Sequence, residues 1–155
     1  MTDFEPRIAL ASLSGESDAA WAKAGDAYAG LALLGGIALD EPTREAARQS
    51  VEDRDRTEFL PEDPFAFVGN ELERAMDASL DVGFNVRAVS PEPIERAARV
   101  CAERNAWLEV NAHCRQVEMC AAGAGESLLT DSERLCEFVR AAKSAGATTS
   151  VKGRA

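Results

Sequence analysis

Short apolar runs alternate with segments of helical periodicity along this chain. The apolar runs predict strands at residues 7–11, 28–34, 82–88, 107–111 and 148–152. The run at 28–34 is almost continuous and is followed by Gly35 and Gly36, which we expect to end the strand. Such a run is typical of a strand that is buried on both faces, as in a parallel sheet.

Helices are predicted between these strands from apolar residues at helical spacing. They follow Ser17-Asp18, span 42–59 and 65–76, and follow Ser90-Pro91 and Thr130. Ser17 or Asp18 can cap the first helix, and Thr130 with Glu133 matches a capping box. Because strands and helices alternate, we expect a single α/β domain over residues 1–155, with parallel strands and right-handed helical crossovers.

Polar side chains share one face of three consecutive predicted strands, near the carboxyl ends. They are Asn85 and Arg87, Glu109 and Asn111, and Lys152 with Arg154 beyond it. In a (β/α)8 barrel this face would line the mouth, where barrel enzymes keep their sites. An open doubly wound sheet is the alternative, and it also binds ligands at the carboxyl ends of strands. Arg87 and Glu109 could instead form an internal ion pair.

The chain is strongly acidic, with 27 Asp and Glu against 17 Lys and Arg and a formal net charge of -10. This composition resembles that of proteins from salt-loving archaea, whose carboxylates keep them solvated; an ordinary acidic bacterial protein is the alternative. The acidity argues against a general nucleic-acid-binding surface. Because salt screens charges strongly, it does not exclude an RNA substrate.

No stretch approaches the roughly 18 apolar residues of a membrane span, and residues 1–5 carry no secretory signal. A cytoplasmic location without a membrane partner is therefore predicted. The cysteines are Cys101, Cys114, Cys120 and Cys136. In a cytoplasmic protein we expect no disulfides, and their spacing around His113 fits no zinc pattern, so no metal is predicted. Cys101 and Cys136 lie on apolar helical stripes and are expected to be buried.

Three segments together resemble a known family. Residues 109–114 read EVNAHC and are followed by GAG at 123–125 and LL at 128–129. This order resembles the D-x-N-x-G-C-P, G-x-G and L-L pattern of tRNA-dihydrouridine synthases. Residues 150–154, SVKGR, are similar to that family's V-x-V-K-x-R strand, and residues 11–18, ASLSGESD, to its A-P-M-A-G-V-T-D. His113 and Arg115 stand where the family has Gly and Pro beside its Cys, and Ser12 replaces the first Pro.

The resemblance implies a TIM barrel that binds FMN at its mouth and reduces a uracil ring of tRNA, with NADPH or NADH as the reductant. By position, Cys114 would be the general acid. A free thiol, with a pKa of about 8.5, keeps its proton at neutral pH and can donate it. Asn111 would hold the substrate base, and Arg154 would also bind the substrate. The implied flavin contacts are Ser12, Leu13, Asn85 and Lys152.

The chain ends directly after the fifth predicted strand, so we expect the first five β/α units of an incomplete barrel. Barrel phosphate sites usually come from loops after strands 7 and 8, so this chain alone should bind FMN weakly. One alternative is a flavoenzyme similar to dihydroorotate or dihydropyrimidine dehydrogenase, acting on a small pyrimidine. The other is a non-catalytic binding or scaffold protein, with self-association through the open edge of the fifth strand.

Overall fold

One parallel sheet carries the fold, and its strands lie side by side in the order of the chain. In the computed structural model, which describes residues 4–54 and 56–154, the strands are β1 (Ala9–Leu10), β2 (Leu31–Ala38), β3 (Asp81–Arg87), β4 (Trp107–Asn111) and β5 (Thr148–Lys152). All four pairings are parallel, as the alternation of elements predicted. The α/β class is therefore confirmed, and β4 and β5 have the predicted bounds.

Helices follow each of the first four strands. They are α1 (Ala19–Ala24), α2 (Glu41–Arg54), α3 (Pro64–Ala75), α4 (Pro91–Ala102), α5 (Val117–Ala121) and α6 (Ser132–Ser144), with a 3-10 helix at Gly125–Thr130. Asp18 caps α1 by accepting a hydrogen bond from the backbone N–H of Trp21, as predicted. Proline occupies the first turn of α3 and of α4, where a missing N–H costs no helical hydrogen bond.

The main hydrophobic core lies between the sheet and helices α1, α3, α4 and α6. The sheet contributes alternate residues of neighbouring strands, which include Leu34, Phe84, Val86, Leu108 and Val110. Because successive strand residues point to opposite faces, the polar residues between them lie together on the other face. The sequence pattern predicted this division of β3 and β4 into an apolar and a polar face.

A second, smaller apolar cluster joins α2 to α5 at the carboxyl end of the sheet. Its buried members are Ala38, Ala46, Ala47, Met119 and Ala124, and Cys114 packs against it. These side chains are mostly alanine, so the two helices approach closely. The cluster therefore fixes the segment after β4, which carries Cys114, against the segment after β2.

The prediction that Gly35 and Gly36 end the second strand is wrong. β2 continues through both glycines to Ala38. Its register against β3 shifts between Gly35 and Ile37, which marks a bulge. A Cβ at Gly36 would collide with the side-chain oxygen of Asn85. Glycine is thus required here because a buried amide of the next strand occupies the space of a side chain.

Two predicted helix ends are also wrong. α2 ends at Arg54 rather than near residue 59, and Asp55, the next residue, lies outside the described residues. The capping box at Thr130 does not form, because the 3-10 helix runs through Thr130. Asp131 caps α6 instead, accepting from the backbone N–H of Arg134 at 3.2 Å.

Cys101 is buried, as predicted, but Cys136 is exposed. The side of α6 that faces the core carries Phe138 and Ala142, four residues apart. Because an α-helix advances 100° per residue, Cys136 falls outside this stripe. Its exposure makes it a useful control residue for Cys114.

β5 pairs with β4 on one side, and no described strand pairs with its other side. Val151 is exposed on this strand. Self-association through this edge stays a prediction. Among the described residues, none of the helices has the length and apolarity needed to cross a membrane.

Phe84→Ala is expected to destabilise the fold by about 3–5 kcal/mol, because the ring fills the centre of the core and leaves a cavity when removed. Phe84 is 0% exposed and meets the Phe67 ring edge-on at 6.2 Å. Urea unfolding measures the change. Tyr28→Ala, at a position that is 72% exposed, is the control and should stay within about 0.5 kcal/mol. Equal losses in both variants would contradict this placement of the core.

Candidate functional site

A cleft of about 620 Å³ lies at the carboxyl ends of the strands. The strands contribute Asn111 at the end of β4. The loops contribute residues 12–14 after β1, Arg56 and Thr57 after α2, residues 113–116 after β4 and Arg154 after β5. Glu16 and Arg54 complete the lining. Loops that follow different strands thus converge on one space, as expected for a site at this end of a parallel sheet.

Asn111 organises the floor of the cleft through both ends of its amide. Its Oδ1 accepts hydrogen bonds from the backbone N–H of His113 at 3.2 Å and of Cys114 at 3.1 Å. Its Nδ2 donates to Oδ1 of Asn85 at 2.9 Å and lies 3.4 Å from Nε2 of His113. The amide therefore fixes the turn that presents Cys114 to the cleft.

Asn85 lies beneath this layer, fully buried, rather than in the lining of the cleft. It donates from Nδ2 to Oε1 of Glu109 at 2.7 Å. Burial raises the pKa of Glu109, although this hydrogen bond and the charge of Lys152 act in the opposite direction. Asn85 thus links a buried carboxyl of β4 to the amide of Asn111.

The suggested ion pair between Arg87 and Glu109 does not form. Asn85, not Arg87, stands opposite Glu109 in the register of β3 and β4, and it is Asn85 that bonds the Glu109 carboxyl. Arg87 pairs instead with Glu58, in the segment after α2, and donates to the backbone oxygen of Gly36 at 2.6 Å. Burial alone lowers the pKa of Arg87, but the attraction and hydrogen bonds of Glu58 outweigh it and leave that pKa raised.

Lys152 and Ser12 meet at the edge of the cleft. The Lys152 Nζ lies 3.4 Å from both the backbone oxygen and the Oγ of Ser12. The next residue, Leu13, has its backbone held by Ser17, whose Oγ accepts from the Leu13 N–H at 2.7 Å. The Leu13 side chain is exposed and lines the cleft. Lys152 thus stands just behind the lining, joined to it through Ser12.

The cleft is rich in positive charge although the chain as a whole is acidic. Arg54, Arg56, Arg115 and Arg154 line it, against Glu16. Arg54 pairs with Glu118 and Arg115 with Glu126. Arg56 and Arg154 make no ion pair with the described residues. An acidic chain that collects arginines in one cleft has a local potential suited to an anion.

The pKa of His113 is lowered in part by this positive potential. Burial lowers its pKa to about 4, with further lowering by the charges of Lys152, Arg154 and Arg87. The ring is therefore neutral at pH 7, and its Nε2 can accept from the amide of Asn111. A neutral histidine beside Cys114 adds no positive charge to the thiol.

Most predicted site residues come together. Ser12, Leu13, Asn111, Cys114 and Arg154 line the cleft; Lys152 touches Ser12, and Asn85 touches Asn111. In the described parts of the chain, no three His, Cys, Asp or Glu side chains meet in a group that could hold a metal ion.

Four residues of the site were missed by the sequence analysis: Arg54, Arg56, Glu58 and Gln116. The first two belong to a run of mixed charge, Glu52 to Arg56, which lies inside the helix predicted at 42–59 and carries no motif. Glu58 was placed inside a helix that in fact ends earlier. Only Gln116 had a local signal, its position two residues after Cys114.

NMR of the His113 ring should give a titration midpoint near pH 4. The signal is unambiguous because the chain has a single histidine. Because this pKa lies below the ordinary 6.5, the unfolded chain binds more protons between the two values. The contribution of neutral His113 to the free energy of unfolding is therefore complete above pH 6.5, and it is lost as the pH falls towards 4.

Arg154→Gln should raise that midpoint, because Arg154 contributes to the lowering. Arg99→Gln is the matched control, since Arg99 is exposed on α4 and pairs with Glu95. A wild-type midpoint near 6.5 would contradict the placement of His113.

Comparison with protein-family models gives no match. Among curated proteins, the chain is similar to an uncharacterized protein of Methanocaldococcus jannaschii, with 26% identity over 141 residues. The match covers 90% of this chain and 54% of the relative. The chain thus spans about half the length of the curated relative that it matches, and that relative's description names no activity.

Proposed function

We propose that this chain belongs to an FMN-dependent oxidoreductase of the tRNA-dihydrouridine synthase type, working in the cytoplasm. The observation that carries the proposal is the placement of Cys114 in a strand-end cleft with Asn111, Ser12 and Arg154. The three segments of the sequence resemblance come from distant parts of the chain, and all of them contribute to this cleft. Their convergence supports a shared site.

The strand order supports a TIM barrel rather than a doubly wound sheet. A doubly wound sheet reverses its strand order at a switch point, and its ligand binds there. The order β1-β2-β3-β4-β5 contains no reversal. The five strands would then be consecutive strands of a barrel, with the polar face of β3 and β4 turned towards the barrel axis.

The described residues fit a flavin ring at the edge of the cleft. The exposed Leu13 side chain offers apolar surface for a ring to stack on, and the Lys152 ammonium lies beside Ser12. Bound FMN would supply the hydride for a uracil ring. A nearby cation favours the anionic reduced flavin, which is how a protein tunes such a cofactor. Asn85 would act indirectly, since it is buried beneath Asn111.

Cys114 would supply the proton. The S–H bond breaks as a C–H bond forms on the ring carbon next to the one that receives hydride, and water later returns a proton to the thiolate. Asn111 holds the backbone N–H of Cys114 at 3.1 Å and so sets the direction of the thiol. The Arg87 guanidinium, buried behind it, offsets the negative charge that remains on sulfur.

The arginines favour a substrate that carries phosphate. Arg56 and Arg154 face the cleft without an acidic partner among the described residues, and arginine binds phosphate oxygens well. A nucleotide within tRNA has phosphates on both sides of its base. Orotate, by contrast, carries a single carboxylate and no phosphate, so two arginines without acidic partners favour the tRNA reading over the dehydrogenase-like alternative.

Cys114→Ala should reduce NADPH-supported formation of dihydrouridine in unmodified tRNA by about 10²–10⁴-fold, the usual contribution of a general acid. Mass spectrometry of digested tRNA measures the product, and FMN affinity should stay unchanged. Cys136→Ala, at an exposed position on α6, should retain full activity. Full turnover by Cys114→Ala would remove this thiol from the mechanism.

The double variant Arg56→Gln, Arg154→Gln should weaken tRNA binding and lower the slope of log K against log salt by about two, since each phosphate contact contributes about one. Filter binding over a salt series measures both quantities, with Arg99→Gln as the control. An unchanged slope would remove the two arginines from substrate binding. Saturable binding of orotate without tRNA binding would favour the dehydrogenase-like alternative.

A further inference from the structure

Gln116 connects Cys114 to a buried ion pair. The Cys114 Sγ donates to Oε1 of Gln116 at 3.3 Å. The Gln116 Nε2 donates in turn to Oε1 of Glu58 at 3.0 Å. Gln116 is only 5% exposed, and the side chains of Glu58 and Arg87 are each 1% exposed. Gln116, Glu58 and Arg87 all lie outside the motif at residues 109–114.

The orientation of the Gln116 amide is set from two sides. A carboxylate can only accept hydrogen bonds, so Glu58 requires the NH₂ end of the amide to face it. A guanidinium can only donate, and Arg87 Nη1 lies 3.3 Å from the Gln116 oxygen. Both neighbours therefore leave the oxygen, and not the nitrogen, on the side of Cys114.

We propose that Gln116 is a positioning residue for Cys114, holding it as a protonated thiol through an amide oxygen whose direction Glu58 and Arg87 fix. An oxygen facing sulfur accepts from S–H but cannot stabilise a thiolate, whereas an amide N–H would do the opposite. Arg87 also lies within hydrogen-bond distance of the Cys114 side chain, and its charge is paired with that of Glu58. The network thus directs an acceptor towards the S–H of Cys114.

The catalytic meaning of this network rests on the proposed function, because a general acid must begin its cycle protonated. The hydrogen bonds themselves do not depend on it.

Alkylation of Cys114 by iodoacetamide tests the inference without flavin or tRNA, because the thiolate is the reacting form. The parent protein carries Cys120→Ala and Cys136→Ala. Cys101 is buried, and burial raises its pKa to about 12, so it stays silent. Peptide mass spectrometry gives the alkylation rate of Cys114 at pH 7 and at pH 10.

Gln116→Met should raise the ratio of the pH 7 rate to the pH 10 rate about fivefold, the usual effect of losing one hydrogen bond. Glu58→Gln should raise it at least as much, since it frees the amide to turn and removes the counter-charge of Arg87. If Glu58→Gln fails to fold, Gln116→Met still decides, because it keeps the Arg87–Glu58 pair. Gln49→Met is the matched control, at an exposed position on α2 whose side chain bonds Glu45 in the part of the chain that the structure describes.

Loosening of the loop alone would multiply both rates by the same factor and leave the ratio unchanged. An unchanged ratio in folded Gln116→Met therefore overturns the inference. If the ratio rises as expected but no uracil reduction is found, only the proposed function fails. If reduction is found and the ratio stays constant, only this inference fails.

Discussion

The burial of Arg87 at the end of β3 is the constraint on which the cleft depends. Its side chain is 1% exposed, and a buried cation is tolerated only when it is paired and hydrogen-bonded. Its partners come from three separate segments: Gly36 of β2, Glu58 after α2, and Gln116 after β4. Removing the carboxylate of such a pair typically costs about 3–5 kcal/mol. One guanidinium therefore holds the walls of the cleft together.

A second polar layer, made by amides, orients the reactive group. The hydrogen bond from Asn111 to Asn85 fixes the orientation of the Asn111 amide. The Asn111 oxygen in turn accepts from the backbone N–H of Cys114. Glycine at position 36 leaves the space that Asn85 occupies. The buried amides of β3 and β4 thus act as structural parts of the site. This placement explains why polar residues can fill one face of these strands without exposure to solvent.

The charge distribution separates the cleft from the rest of the chain. The chain as a whole carries a net charge of -10, while four arginines line one space at the strand ends. The same positive environment contributes to the low pKa of His113, so the histidine stays neutral beside the thiol. Screening by salt weakens long-range repulsion from the acidic surface more than it weakens contacts within the cleft. An acidic protein can therefore still bind an anion there.

The sequence by itself determined the α/β class, the existence of five strands and the two faces of β3 and β4, because the alternation of apolar residues depends only on local geometry. It also placed Cys114, Asn111 and Lys152 at strand ends, since motif spacing survives in a single chain. Helix ends were predicted less well: α2 stops at Arg54, and Glu58, which the pattern placed inside the helix, pairs with Arg87. The strand order, the partner of Arg87 and the arginine lining were decided only by the tertiary structure. Each joins residues far apart in the chain, and no local pattern records which distant group will meet a buried charge.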